Sequence, residues 1–351
     1  MERALALALD HRTHPNPRVG AVIIDRDGRV LAEGAHTGPG NHHAEIEALA
    51  RLEGDLPPGS TMVVTLEPCN HHGRTPPCAE ALIAARLDRV VVGALDPDPR
   101  VAGAGIARLE AHGIEVESGV LADAVEGADP AYFYHRRKGR PLVTLKTAST
   151  LDGQTAARDG TSQWITSPEA RVDAHRLRAG ADCVVIGAGT LRADDPQLTV
   201  RGDNDTGDQP VGVVVAGDRP LPSEARLWLR PDTLVLSTRR VVVPAENVVV
   251  SADSVGRPDP AAVLFALGER GYLAVLVEGG ARLAASFWAA GLVDVGVSYL
   301  GAKLAGGAGT TVFDGPWNTL GDAVSVAVTD VKQVGPDVRI TWTVENPPSQ
   351  E

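Results

Sequence analysis

The sequence predicts an α/β protein of two domains. Three observations carry that prediction: 351 residues exceed one ordinary core, continuous apolar strands alternate with helical patterns, and the alternation restarts after a charged tract near residue 140. A hairpin is expected at 20–25 and 30–34, around the turn Arg26-Asp27-Gly28. A helix begins near His43 and runs through AEIEALARL, where Ile46, Leu49 and Ala50 fall at helical spacing. Residues 61–66 read as a buried strand, 77–87 as a helix opened by proline, and 89–95 as another buried strand. A helix at 106–112 and a strand at 114–118 follow. The tract His135-Arg136-Arg137-Lys138-Gly139-Arg140-Pro141 is the expected linker, being charged and closed by Gly and Pro. Beyond it, 142–148 reads as a strand and 167–179 as a helix with Ser167 as N-cap and Pro168 at its first position. Strands are expected at 183–187, 211–215 and 273–278, a helix at 281–290, and a closing antiparallel pair at 324–328 and 338–344. The acidic stretch 202–209 reads as a mobile surface loop. The expected domains are 1–139 and 142–346, with 347–351 as a tail.

Composition narrows the function classes. A hydrophobic content of 43% with 22% charged residues is that of a soluble globular protein. The opening run MERALALALDHRTH becomes charged too soon for a signal peptide, and no later stretch is long enough to span a bilayer. Cys69, Cys78 and Cys183 are too few and too odd in number for a disulfide framework, which points to the reducing cytoplasm. The net charge of −12 is evenly divided: 14 Lys+Arg against 20 Asp+Glu in residues 1–139, and 19 against 25 in the rest. Neither half offers the cations that phosphate backbones need, and 4% aromatics leave few rings for base stacking. No nucleic-acid and no membrane partner is expected.

Residues 41–47 read NHHAEIE and residues 66–78 read LEPCNHHGRTPPC. His43, Cys69 and Cys78 supply one imidazole and two thiols, which with a water make a tetrahedral zinc site with an open position. Glu45, two residues beyond the histidine, can reach the metal's water without ligating the metal, the arrangement of zinc deaminases. Zinc makes that water acidic enough to act at neutral pH, and Glu45 would carry its proton to the leaving ammonia. Eight residues separate the cysteines, where the common form of the motif has two. A purely structural zinc module and a nucleic-acid deaminase are the competing readings; Glu45 argues against the first and the even negative charge against the second.

The long cysteine spacing has a counterpart. EPCNHHGRTPPC resembles the bifunctional riboflavin-biosynthesis deaminase–reductase family, as do HPNPRVGAVI at 14–23, HAEIEAL at 43–49 and DPDPRVAGAG at 96–105. The likeness continues through LKTASTLDGQTA at 145–156, SQWITSPEAR at 162–171, GAGTLRADDPQLTVR at 187–201 and VEGG at 277–280. It implies a cytidine-deaminase-like αβα sandwich followed by a dihydrofolate-reductase-like α/β domain. It also implies a phosphorylated pyrimidine substrate, deaminated and then reduced on its ribosyl chain by NADPH, and assembly as a homo-oligomer. By matching position, His43, Cys69 and Cys78 would bind zinc and Glu45 would shuttle the proton. Asn16, His36, His71, Arg74 and Asp96 would hold the substrate in the deaminase pocket. Asn70, Glu47 and Asp98 stand where the family usually has Ser, His and Asn.

The second half is less diagnostic by itself. Gly187-Ala188-Gly189-Thr190 and Gly279-Gly280 each follow an apolar strand, where glycine lets a ligand approach the backbone and helix N-terminal amides suit pyrophosphate. The resemblance implies that Gly187, Gly189, Thr190, Gly279 and Gly280 lie at the cofactor. It places Lys146, Asp152, Ser162, Trp164, Thr166, Arg178, Asp194, Arg201 and Glu278 around the substrate. Ala216-Gly217 replaces a polar Asp-Ser pair of the family near the adenosine ribose, Gln154 a usual Lys or Arg, and Ala302 a usual Pro. The Ala216-Gly217 change motivates one more alternative, an active deaminase whose C-terminal half only binds.

Overall fold

The computed structural model describes residues 1–70, 76–98, 101–205, 207–307, 309–313 and 319–344. The chain divides into two compact units, Met1–Arg140 and Pro141–Glu351. The expected tail at 347–351 lies outside the described residues. Among those described, no helix is long and apolar enough to cross a membrane.

The first unit runs α1 (Glu2–Leu9), β1 (Gly20–Ile24), β2 (Val30–Ala35), α2 (Ala44–Ala50), β3 (Thr61–Leu66), α3 (Cys78–Ala84), β4 (Arg89–Ala94), α4 (Ala104–Glu110), β5 (Glu115–Ser118), α5 (Ala122–Ala128) and α6 (Pro130–Lys138). Its sheet has the order β2-β1-β3-β4-β5. β1 is antiparallel to both neighbours, whereas β3, β4 and β5 are parallel. Helices α2, α3 and α4 pack in succession, and α1 and α5 pack together, so the apolar strands are covered by helices. A close approach sets α2 in place: a Cβ at Gly34 would lie 2.3 Å from the Ala44 carbonyl oxygen, so only glycine lets the helix start so near β2.

The expected hairpin, the helix after His43 and the strands at 61–66 and 89–94 are all present. Pro77 is the N-cap of α3 rather than its first helical residue, so the helix begins at Cys78. The charged tract is not open chain: His135–Lys138 form the last turn of α6, where four basic side chains oppose the helix dipole. Gly139, at φ +73°, stops the helix.

The second unit runs β6 (Leu142–Thr150), β7 (Gln154–Ala156), α7 (Pro168–Ala179), β8 (Cys183–Gly187), α8 (Ala188–Asp194), β9 (Val211–Ala216), β10 (Leu234–Ser237), β11 (Glu246–Val249), α9 (Pro260–Gly268), β12 (Ala274–Val277), α10 (Ala281–Ala289), β13 (Val295–Gly301), β14 (Thr310–Thr311), β15 (Val326–Val334) and β16 (Asp337–Val344). The main sheet has the order β11-β10-β9-β8-β12-β6-β13-β16-β15, parallel from β11 to β13 and closed by an antiparallel hairpin. Strand residues alternate between two cores: Cys183 and Val185 join Phe287 and Leu264, while Val184 and Ile186 join Leu191 and Leu227. Ser167 caps α7 as expected, its side chain accepting the Ala170 N–H. The 202–209 stretch contains a short 3-10 turn at Gly202–Asn204, and the Gln209 side chain accepts the Val200 N–H at 2.7 Å.

Candidate functional site

In the first unit, three chain segments bring their donors together. His43 is the N-cap of α2, Cys69 follows β3, and Cys78 opens α3. His43 Nδ1 lies 3.2 Å from Cys78 Sγ and 3.6 Å from Cys69 Sγ, and the three donor atoms all fall within 4.8 Å of one another. A tetrahedral zinc with bonds of about 2.1 Å to nitrogen and about 2.3 Å to sulfur separates such donors by about 3.6 Å. Donor type and spacing therefore fit the metal. The eight-residue spacing is also explained, because the chain returns on itself: the Cys78 N–H donates to Cys69 Sγ at 3.3 Å and the Ala79 N–H to the Cys69 carbonyl at 3.1 Å.

The hydrogen bond with Cys78, aided by His43, draws the Cys69 thiol well below its usual range, toward the thiolate that a metal needs. Glu45 is 3% exposed, and burial pushes its carboxyl up to about 7. That buried carboxyl faces the Cys78 side chain, beside the donor triad.

Asn16 and His36 extend the site. His36 Nδ1 lies 2.9 Å from the His42 carbonyl, and Nε2 lies 2.9 Å from Asn16 Nδ2. Burial lowers the His36 pKa, so its neutral ring donates from Nδ1 and accepts the Asn16 amide at Nε2. The ring packs edge-on against His43 at 5.5 Å. Asp96 is buried beyond the end of β4, and burial raises its pKa. His71 and Arg74 lie outside the described residues. Glu67, which the sequence reading did not single out, is buried and accepts the N–H groups of Asp96, Gly103 and Gly105. It thus ties the loop before the cysteine to the start of α4; its position in EPC was the available signal.

In the second unit a cleft of about 1480 Å³ lies along the carboxyl ends of the parallel strands. Lys146, Ser162, Trp164, Thr166, Arg178, Gly187, Gly189, Thr190, Asp194, Arg201, Glu278, Gly279 and Gly280 all line it. Arg178 and Glu278 form a bidentate pair at 2.7 and 2.8 Å. Lys146 lies over the Tyr299 ring at 5.8 Å, its pKa lowered by burial and supported by Glu278. Gly189 and Gly217 have open space where a Cβ would stand, and the Gly280 N–H, at the start of α10, donates to Thr190 Oγ1 at 3.1 Å. Such a glycine-edged rim fits a dinucleotide.

Asp152 does not line this cleft. Its carboxylate accepts from Thr150 Oγ1 and the N–H groups of Ala305 and Gly306, and its pKa is held at about 2. Several lining residues escaped the sequence reading. Arg171 stacks on Trp164 at 4.2 Å, and His175 presents a buried Nδ1 without a hydrogen-bond partner. Both share a face of α7 with Arg178, a spacing that was visible in the sequence.

Comparison with known proteins accounts for both sites in one chain. The RibD C-terminal domain model matches residues 141–340, and the cytidine and deoxycytidylate deaminase zinc-binding region matches residues 1–94. The chain is 40% identical over 350 residues to the riboflavin biosynthesis protein RibD of Mycobacterium tuberculosis, covering 97% of this chain and 96% of that protein.

The chain belongs to the RibD family.

The RibD of Escherichia coli is 38% identical over 356 residues, with 96% of each chain covered. Among solved structures, Acinetobacter baumannii RibD superposes with a TM-score of 0.87 at 36% identity, covering 98% of this chain and 97% of that one. The diaminohydroxyphosphoribosylaminopyrimidine deaminase/5-amino-6-(5-phosphoribosylamino)uracil reductase of Thermotoga maritima gives 0.86 at 34%, with the same coverage. The expected pairing of a cytidine-deaminase-like unit with a RibD reductase unit is therefore borne out, as are zinc and NADPH as the family's cofactors. Of this chain's departures from the family pattern, Glu47 turns to Arg51 at 2.7 Å, and Asn70 donates to the Ala104 carbonyl at 3.3 Å.

The purified chain should carry about one equivalent of zinc by elemental analysis, and Cys69→Ala and Cys78→Ala should each lose it. Full retention in both variants contradicts the ligand set.

Proposed function

We propose that this chain carries out two successive reactions of riboflavin biosynthesis: hydrolytic deamination of 2,5-diamino-6-(5-phosphoribosylamino)pyrimidin-4-one, then reduction of the ribosyl chain to a ribityl chain with NADPH. The observation that carries the reading is the triad of His43, Cys69 and Cys78 with a buried, non-ligating carboxyl, Glu45, beside it.

His43, Cys69 and Cys78 would hold the zinc, which would supply a water acidic enough for hydrolysis of an amino-pyrimidine at neutral pH. Glu45 would accept a proton on its carboxylate and return it to the departing amine. Burial raises the Glu45 carboxyl above its usual range, which favours its holding a proton between the two transfers. Asn16 and His36 hold the pyrimidine's polar edge through the hydrogen-bonded pair they form. Asp96, His71 and Arg74 complete the pocket in this reading.

NADPH supplies the hydride of the second reaction. Gly187, Gly189, Thr190, Gly279 and Gly280 hold it along the strand ends, where small residues leave space for the backbone to meet pyrophosphate. Lys146, Arg178 and Arg201 meet the phosphorylated sugar, with Glu278 keeping Arg178 in place. Ser162, Trp164, Thr166 and Asp194 close the substrate side, and Asp152 braces the loop at Ala305 and Gly306. Near the adenosine end, Arg219 lines the cleft beside Gly217, whereas Arg239 donates to the Asp218 carbonyl. Arg219 is therefore the cation for the 2′-phosphate in this reading. Free thiols suit a cytoplasmic location, and the edge strand β15, with Val328 and Val331 exposed, suits assembly with further copies of the chain.

Glu45→Gln should keep its zinc yet release ammonia roughly 10²–10⁴-fold more slowly, while still reducing supplied deaminated intermediate. Ammonia release near the wild-type rate would show that another group moves the proton. Lys146→Ala should lower the reduction rate roughly 10–150-fold, the loss of one charged hydrogen bond, and leave ammonia release unchanged. Kinetics of the two steps measured separately check both variants, and unimpaired reduction in Lys146→Ala removes that residue from the substrate site.

A further inference from the structure

The charged tract that reads as a linker is the end of α6, and one face of that helix reaches both the loop that carries Asn16 and the carboxylate of Asp96. Asp129, Tyr132 and Arg136 are spaced i, i+3 and i+7, which places them along a single face. Asp129, the N-cap, is 3% exposed, and its carboxylate grips the loop 14–18 at both ends. Oδ1 lies 2.8 Å from His14 Nε2, and Oδ2 accepts the Arg18 N–H at 2.9 Å. Arg136 Nη2 donates to the Pro15 carbonyl at 3.4 Å. Asn16 sits between these anchor points, its own N–H bonded to the Thr13 carbonyl at 2.9 Å.

One turn along, Tyr132 is equally buried and donates its Oη to the Asp96 carboxylate, 3.2 Å from either oxygen. The Asp98 N–H also donates to Asp96 Oδ1, at 2.9 Å. Arg136 closes the set, its guanidinium 5.0 Å over the Tyr132 ring. The Asn16 loop and the Asp96 loop are thus braced by neighbouring side chains of the same short helix. A buried carboxylate without such donors is free to turn or to take up a proton, because burial disfavours its charge.

We propose that Asp129, Tyr132 and Arg136 are positioning residues for the deamination. Together they set the separation between Asn16 and Asp96, and with it the orientation in which the pyrimidine is presented to Glu45. The proposal rests on the deaminase reading above. Tyr132 acts through Asp96, and Asp129 acts through Asn16. Displacements of an ångström in such a site cost on the order of 10²-fold in rate, so the brace matters although none of the three touches the reacting atoms.

A double-mutant cycle separates positioning from mere stability. Tyr132→Phe keeps the ring that packs edge-on against Phe133 at 5.8 Å and removes only the hydroxyl. Tyr132→Phe is expected to lower kcat/KM for ammonia release roughly tenfold or more, chiefly through kcat, while zinc content stays unchanged. In an Asp96→Asn background the same substitution should change kcat/KM less than about twofold. A second cycle, Asp129→Asn with Asn16→Ala, reads the Asn16 loop in the same way and serves where Tyr132→Phe folds poorly. Equal losses with and without the partner residue in both cycles, or wild-type kcat/KM in Tyr132→Phe, overturn the proposal while wild-type turnover preserves the deaminase reading. Wild-type protein that releases no ammonia from the diaminopyrimidinone overturns that reading and the proposal with it.

Discussion

A zinc centre with one open position needs three donors at the corners of a tetrahedron about 3.6 Å on edge, with a proton carrier near the fourth corner but off the metal. Much of the first unit serves that requirement. The donors come from the starts of α2 and α3 and from the chain just after β3. Gly34 lets α2 start close enough to the sheet to bring His43 in, and Glu67 ties the loop before Cys69 to α4. Glu45 is placed by helix geometry alone: in the first turn of α2, two residues past the ligand, it reaches the site but cannot replace His43. Its burial favours the protonated form over the charged one, which suits a group proposed to carry a proton.

In the proposed reading the second unit meets a different demand, that of holding an anionic cofactor and an anionic substrate on a chain whose net charge is −12. It does so by concentrating cations in one place. Lys146, Arg171, Arg178 and Arg201 all line the cleft, and Glu278 is ion-paired to one of them. The carboxyl edge of a parallel sheet is where such a cleft forms, since strand ends and helix starts meet there. The glycines after β8 and β12 leave that edge open, and at Gly279 the small residue also makes room for Leu283 of α10, 2.6 Å from where a Cβ would stand.

What the sequence made legible follows from how each feature is encoded. Strands buried on both faces, such as β3, β4, β8 and β12, announce themselves as short apolar runs, and α7 carries its own cap and proline. The proposed ligands and proton carrier are legible because metal chemistry requires particular residue types at short spacing. Elements whose identity depends on partners were hidden. Helix α6 looks like a linker because its last turn is basic, and β11 is a four-residue strand at the sheet edge with both ends exposed. The braces were hidden for the same reason: Asp129 meets His14 across 115 residues and Tyr132 meets Asp96 across 36, separations that no local pattern records.

The central claim is the open, mixed-donor zinc site, and X-ray absorption at the zinc edge of the full-length protein tests it most directly. The account predicts a first shell of one imidazole nitrogen, two sulfurs near 2.3 Å and one light oxygen atom, retained in Glu45→Gln. A shell of four protein ligands with no oxygen, or one without two sulfurs, would contradict it.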